Sequence, residues 1–165
     1  MNILNMKIAI FLHGTLLMHQ GASGQPREIA VKQVMENERS VLDYASYIPI
    51  GMAAEKLRTW NTQGVEIVYI SSHQTVEDVE KDKLVLQKYD FPAGEVLFRD
   101  QGQSYQGIIE KIMPDILIED DCESIGGQSE MIYPNLSPEL KSKIKSIVVK
   151  EFKGIDGLPD KLIKN

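Results

Sequence analysis

The sequence predicts an α/β protein, folded as a doubly wound parallel sheet sandwich. Three observations carry that expectation. Five short runs rich in Val, Ile and Leu recur along the chain, segments of helical spacing separate most of them, and Gly, Pro, Asn, Asp and Ser mark the joints.

Taken in order, Lys7–Leu12 is an apolar run that ends in His13-Gly14-Thr15 and reads as the first strand. Gln20 to Gln25 carries Gly, Ala and Ser and reads as a loop, with His19 beside it in a mobile segment. Arg27 to Tyr44 has helical spacing, with a break expected at Glu36-Asn37-Glu38. Pro49 and Gly51 punctuate, Met52–Thr62 is a second helix, and Gly64 is its stop. Val65–Ile70 is β-branched and aromatic, a second strand; Trp60 and Tyr69 are read as core. Thr75 with Asp78 resembles a capping box that opens a charged helix running to about Tyr89. Asp90 to Gly94 turns the chain into a short strand, Glu95–Arg99, followed by a helix from Ser104 to Met113 that Pro114 stops. Asp115–Glu119 is the fourth strand. Ser137-Pro138 is a cap with a first-turn proline, and the helix it opens leads to the fifth strand, Ser146–Val149.

With 165 residues the chain fits one domain, 1–165. A net charge of −6 argues against nucleic acid or an anionic membrane as the main partner. The longest apolar run is too short to span a bilayer, and the first residues lack the pattern of a secretory signal. Cys122 is the single cysteine, which excludes an intrachain disulfide and suits a cytoplasmic protein. No strand is followed by Gly-x-Gly-x-x-Gly or by a Gly-rich loop ending in Lys-Ser or Lys-Thr, so the dinucleotide and phosphate-loop fingerprints are missing.

Doubly wound sheets bind ligands beyond the carboxyl ends of their strands. Those ends deliver Phe11, Leu12 and His13, then Ser71, Ser72 and His73, then Arg99 and Asp100, then Glu119, Asp120 and Asp121. Two of the chain's three histidines therefore stand at strand ends. His13 has the chemistry of a general acid or base, a phosphoryl acceptor or a metal ligand; its bland alternative is a ring bonded to the loop backbone. Three adjacent acids repel one another unless they face solvent or a cation. With His13 and His73, Asp120 and Asp121 would make a mixed nitrogen and oxygen site suited to Zn²⁺, Mn²⁺ or Fe²⁺ rather than Mg²⁺ alone.

The run Lys7 to Leu16 resembles the first motif of the haloacid dehalogenase-like superfamily, Asp-x-Asp-Gly-Thr after a hydrophobic strand. The helix, Gly64, strand and Ser71 resemble its second motif, and Asp115 to Asp121 its fourth. The likeness covers about residues 6 to 125. It implies an α/β sandwich with a small helical cap or insertion at about 16–50. It also implies a divalent metal, Mg²⁺ first, on Asp120, Asp121 and Glu119, and phosphate contacts from Ser71, Ser72 and Arg99 or Lys111. The substrate it implies is a small phosphorylated molecule; a homo-oligomer is compatible with so small a cap. One departure is decisive. Phe11 and His13 stand where the superfamily has its nucleophilic Asp and its acid/base Asp. A phenyl ring can neither attack phosphorus nor bind a metal. Two expectations follow: a divergent hydrolase or phosphatase rebuilt around His13, Ser71 and the acids, or a catalytically inactive relative that binds a phosphorylated ligand or a protein partner.

Overall fold

The computed structural model describes residues 5–164. In chain order its elements are β1 (Lys7–Phe11), β2 (Leu17–Met18), α1 (Arg27–Met35), β3 (Ile48–Pro49), α2 (Ala53–Thr62), β4 (Glu66–Ile70), α3 (Val76–Lys88), β5 (Val96–Leu97), α4 (Tyr105–Ile112), β6 (Ile116–Asp120), α5 (Pro138–Lys143) and β7 (Lys145–Val149). The main sheet is parallel throughout, with the strand order β5-β4-β1-β6-β7. This is the doubly wound architecture that the sequence predicts. The chain runs outward from β1 to β5, then crosses back to β6, so the order reverses beside β1, where such sheets place their ligand crevice.

Strand alternation sorts the core into two layers. Ile8, Ile10 and Leu12 pack with Ile67, Tyr69, Ile116 and Ile118 against Leu57 and Trp60 of α2 and Val85 and Leu86 of α3. Ala9 and Phe11 join Val68, Ile70 and Leu117 on the other face, against Ile108, Ile109 and Ile112 of α4 and Leu140 of α5. Each fully buried Leu or Ile contributes about 1.5–3 kcal/mol.

Local signals explain most boundaries. Thr75 accepts the Asp78 N–H (3.2 Å) and Ser104 accepts the Gly107 N–H (3.1 Å), which caps α3 and α4. Met113 ends α4 in the left-handed region, with Pro114 next. α1 stops at Met35, close to the expected break, where Asn37 takes φ +52°. Between β2 and β3, which pair antiparallel, the chain carries α1 and three single 3₁₀ turns. No helix among the described residues is long and apolar enough to cross a membrane.

Candidate active site

A cleft of about 390 Å³ opens at the carboxyl ends of the strands. Its floor and walls include Phe11, His13 and Gly14 after β1, Ser72 and His73 after β4, Asp120 and Cys122 around the end of β6, and Glu151 after β7. The segment between β2 and β3 supplies an apolar rim with Val34, Val41, Tyr44 and Tyr47.

One wall is built on a buried acid from α3. Asp82 lies on the apolar stripe of that helix, beside Val79, Val85 and Leu86. Its Oδ1 sits 2.9 Å from His13 Nε2, and its Oδ2 takes His73 Nδ1 at 3.0 Å and the Ser71 hydroxyl at 2.6 Å. Burial works against the charged form of this carboxyl, but the bonds from His13, His73 and Ser71 outweigh it and hold it well below the usual carboxylate range. On the far side of the His13 ring, Nδ1 lies 3.0 Å from Ser72 Oγ. The register explains the meeting: Phe11 pairs with Ile70, so two residues further on His13 stands beside Ser72. Tyr47 meets the His13 ring edge-on at 5.5 Å, and the His73 ring lies 4.0 Å from that of Tyr44.

The opposite wall is acidic. Asp120, Asp121 and Glu151 bring carboxylate oxygens within 4.8 Å of one another, with Asp120 and Glu151 buried. Asp120 accepts the Cys122 N–H (2.8 Å) and the Thr15 hydroxyl (2.9 Å); Glu151 accepts the N–H (2.7 Å) and hydroxyl (2.6 Å) of Ser124. Burial, then the charges of Asp121 and Glu119, push the Asp120 carboxyl up to about 6 against those bonds. Burial likewise raises Glu151, with Asp120 and Asp121 adding to it. Gly14 is required at the foot of this wall. At φ +86°, a Cβ there would meet Asp120 Oδ2 at 2.9 Å and Glu151 Cγ at 3.0 Å.

An all-oxygen set of three acids suits a hard divalent ion such as Mg²⁺ or Mn²⁺. The fit rests on the raised carboxyls: like charges are buried together with no cation within bonding reach of Asp120 or Glu151 among the described residues. Arg27 comes only to 3.9 Å from Asp121 and pairs closely with Glu123 instead. A bound cation relieves such a cluster, as a proton does.

The residues singled out in the sequence are thus divided. His13, His73 and Ser72 line one wall; Asp120 and Asp121 belong to the other, and among the described residues no group of metal-spaced ligands joins the two sets. The four residues expected to share one ion fall into two groups: His13 and His73 with Asp82, which bonds both rings, and Asp120 and Asp121 with Glu151. Glu119 leaves the site: alternation along β6 turns it to the opposite face, where it accepts the N–H groups of Ile132 (2.7 Å) and Tyr133 (2.9 Å). Ser71 is fully buried, donates to Asp82 and accepts the His73 N–H at 3.1 Å, so it positions the wall from behind. Arg99 lies 4.2 Å from the Tyr105 ring centre, and Lys111 lines a different groove with Gln103 and Ser104. Neither borders the cleft. His19 is buried, its Nε2 2.8 Å from Gln33 Oε1 and its ring against Phe152, contrary to the mobile loop expected. Phe11 meets Tyr105 edge-on at 6.1 Å and so is held as core.

Asp82, Thr15 and Glu151 are the site residues that strand-end reading of the first four strands does not find. For Asp82 a signal exists: an acid at helical spacing within an apolar stripe, Val79-Asp82-Val85-Leu86. Glu151 stands two residues beyond β7, another strand end.

No family model matches the sequence, and no curated protein matches it. Among solved structures, the class C acid phosphatase from Bacillus anthracis superposes with a TM-score of 0.59 at 14% identity, covering 92% of this chain and 69% of that one. The tungstate-bound form gives 0.58 at 13%, covering 91% and 69%. The chain shares its fold with that phosphatase. A chain of the Pnkp1/Rnl/Hen1 RNA repair complex gives 0.55 at 14%, covering 88% and 43%; this chain spans less than half the length of the repair-complex chains it matches. Identities this low speak to the fold alone.

Proposed function

We propose that this chain hydrolyses or transfers the phosphoryl group of a small phosphorylated compound, using a site rebuilt around His13 and the Asp120 wall. The carrying observation is the placement of His13. It stands after β1, where the resembled motif has its acid/base Asp, is bonded by buried Asp82, and borders the same cleft as Asp120 and Glu151. A histidine so held can take a proton from an attacking group and return it to a leaving oxygen. Asp120, Asp121 and Glu151 would hold the divalent ion, Mg²⁺ or Mn²⁺ by donor type. Such an ion supplies charge neutralisation for a phosphoryl group. Glu151 brings a third carboxylate to a cleft in which Phe11 has removed one. The 16–50 segment acts as the cap, its Tyr44, Tyr47 and Val41 covering the organic part of the substrate.

A second reading, a catalytically inactive protein that binds a phosphorylated ligand or a partner, is favoured by Phe11 alone, since that ring cannot serve as a nucleophile. Phosphate release from a panel of phosphomonoesters with Mg²⁺, Mn²⁺ or Zn²⁺ decides between them. Turnover that both His13→Ala and Asp120→Asn abolish is the expected result. Release no faster than in those variants leaves the binding protein.

A further inference from the structure

The hydrogen bonds around His13 have a direction. Asp82 is an ionised carboxylate and only accepts, so His13 Nε2 and His73 Nδ1 must both present N–H to it at 2.9 and 3.0 Å. In neutral His13 the proton on Nε2 leaves Nδ1 as an acceptor, and the group facing it at 3.0 Å is the Ser72 hydroxyl. Ser72 therefore donates to His13, and its oxygen lone pairs remain free beside the cleft, which Ser72 lines. Hydroxyl, imidazole and buried carboxylate stand in line, the arrangement that converts a serine into a nucleophile. The imidazole is reversed relative to the serine protease pattern, with Nε2 on the acid and Nδ1 on the hydroxyl. The acid is unusually well fixed, because His73 and Ser71 occupy its other oxygen.

We propose, resting on the phosphate-ester reading of the cleft, that Ser72 is the attacking group and that the nucleophile has moved from the end of β1 to the end of neighbouring β4. As the Ser72 Oγ–P bond forms, the hydroxyl proton passes to His13 Nδ1. The P–O bond to the alcohol breaks, and that oxygen takes the proton from Nδ1. Water then attacks the phosphoserine, giving its proton to Nδ1. The P–Oγ bond breaks, and Ser72 recovers the proton. The sum is ester plus water to alcohol plus phosphate. His13 is the catalytic base and acid; Asp82 is a positioning residue. Ser124, the other cleft serine, donates to Glu151 and faces no histidine, so it serves as an internal control.

The test treats the intact protein with a biotin-tagged alkyl fluorophosphonate, which forms an Oγ–P bond with an activated serine and releases fluoride. Peptide mass spectrometry should find the adduct on Ser72 and not on Ser124. Ser72→Ala should abolish it, and His13→Ala should slow it about 100-fold or more. Asp82→Asn should shift the pH profile of labelling, which a merely structural role would leave in place. Ser72→Ala removes one half-buried hydroxyl, so the comparison stands even where Asp82→Asn fails to fold. No adduct on Ser72, or equal labelling in His13→Ala, overturns the proposal. Phosphate release that persists unchanged in Ser72→Ala also overturns it while leaving the phosphatase reading in place. A Ser72 adduct without release from any phosphomonoester sustains the relay and overturns the phosphate-ester reading.

Discussion

The two walls of the cleft handle buried charge in opposite ways. On the His13 wall one carboxylate, Asp82, meets three donors, and its carboxyl falls well below the ordinary range. On the facing wall three carboxylates meet mainly neutral donors from Cys122, Thr15 and Ser124, and the Asp120 carboxyl rises to about 6. On the first wall the carboxylate's hydrogen-bonding needs are met by those three groups. The second carries more negative charge than its surroundings satisfy, and that surplus recruits a proton or a cation. On the proposed reading proton transfer belongs to one wall and ion binding to the other, although both stand at the ends of neighbouring strands of one sheet.

The largest expected effect lies on the histidine wall. His13→Ala should lower kcat for phosphate release by about 10²–10⁴-fold, read by steady-state kinetics, with circular dichroism unchanged. Asp82→Asn should cost about 2–3 kcal/mol in urea unfolding at neutral pH, because the amide turns an N–H₂ toward donors that need an acceptor. The acidic wall should answer with the opposite sign. Without metal, Asp120→Asn should stabilise the protein by about 1–2 kcal/mol in the same measurement, since it removes a charge whose carboxyl is raised from 3.8 to about 6. The asparagine keeps an oxygen for the Cys122 N–H and can donate to Thr15.

The smallest effect is a pH dependence with two limbs. A raised native carboxyl binds its proton more readily than the unfolded chain does, so metal-free stability should climb as pH falls from about 7 to about 4. Asp82, with its carboxyl lowered, stabilises fully above its unfolded value near 4 and loses that contribution on further acidification. Denaturant midpoints measured across that range should therefore pass through a maximum. Asp120→Asn should flatten the upper limb, and Asp82→Asn the lower.

The sheet is largely legible in the sequence because each strand is a short apolar run with a turn signal behind it. β5 shrinks to Val96–Leu97 because only those residues pair with β4. The β2–β3 pair is not legible, since two residues on each side carry no pattern. Within the site, strand-end reasoning reaches His13, Ser72, His73, Asp120 and Asp121. It fails where the partner comes from elsewhere in the fold. Asp82 belongs to a helix, and His19 is buried by Gln33 and by Phe152 from the far end of the chain. Glu119 and Asp120 are neighbours in sequence and part company in space, because a strand turns successive side chains to opposite faces. The resemblance to a motif that contains an aspartate nucleophile located the cleft; the chemistry proposed for it depends on contacts between β1, β4, α3 and β7 that no single segment records.

The most direct measurement is calorimetric titration of Mn²⁺ into the wild-type protein, an Asp120→Asn/Glu151→Gln variant and a His13→Ala/His73→Ala variant. If the acidic wall alone holds the ion, wild type and the histidine variant bind one equivalent and the acid variant binds none. An ion lost with the histidines and kept without Asp120 and Glu151, or no binding by the wild type at all, would contradict this division of the cleft.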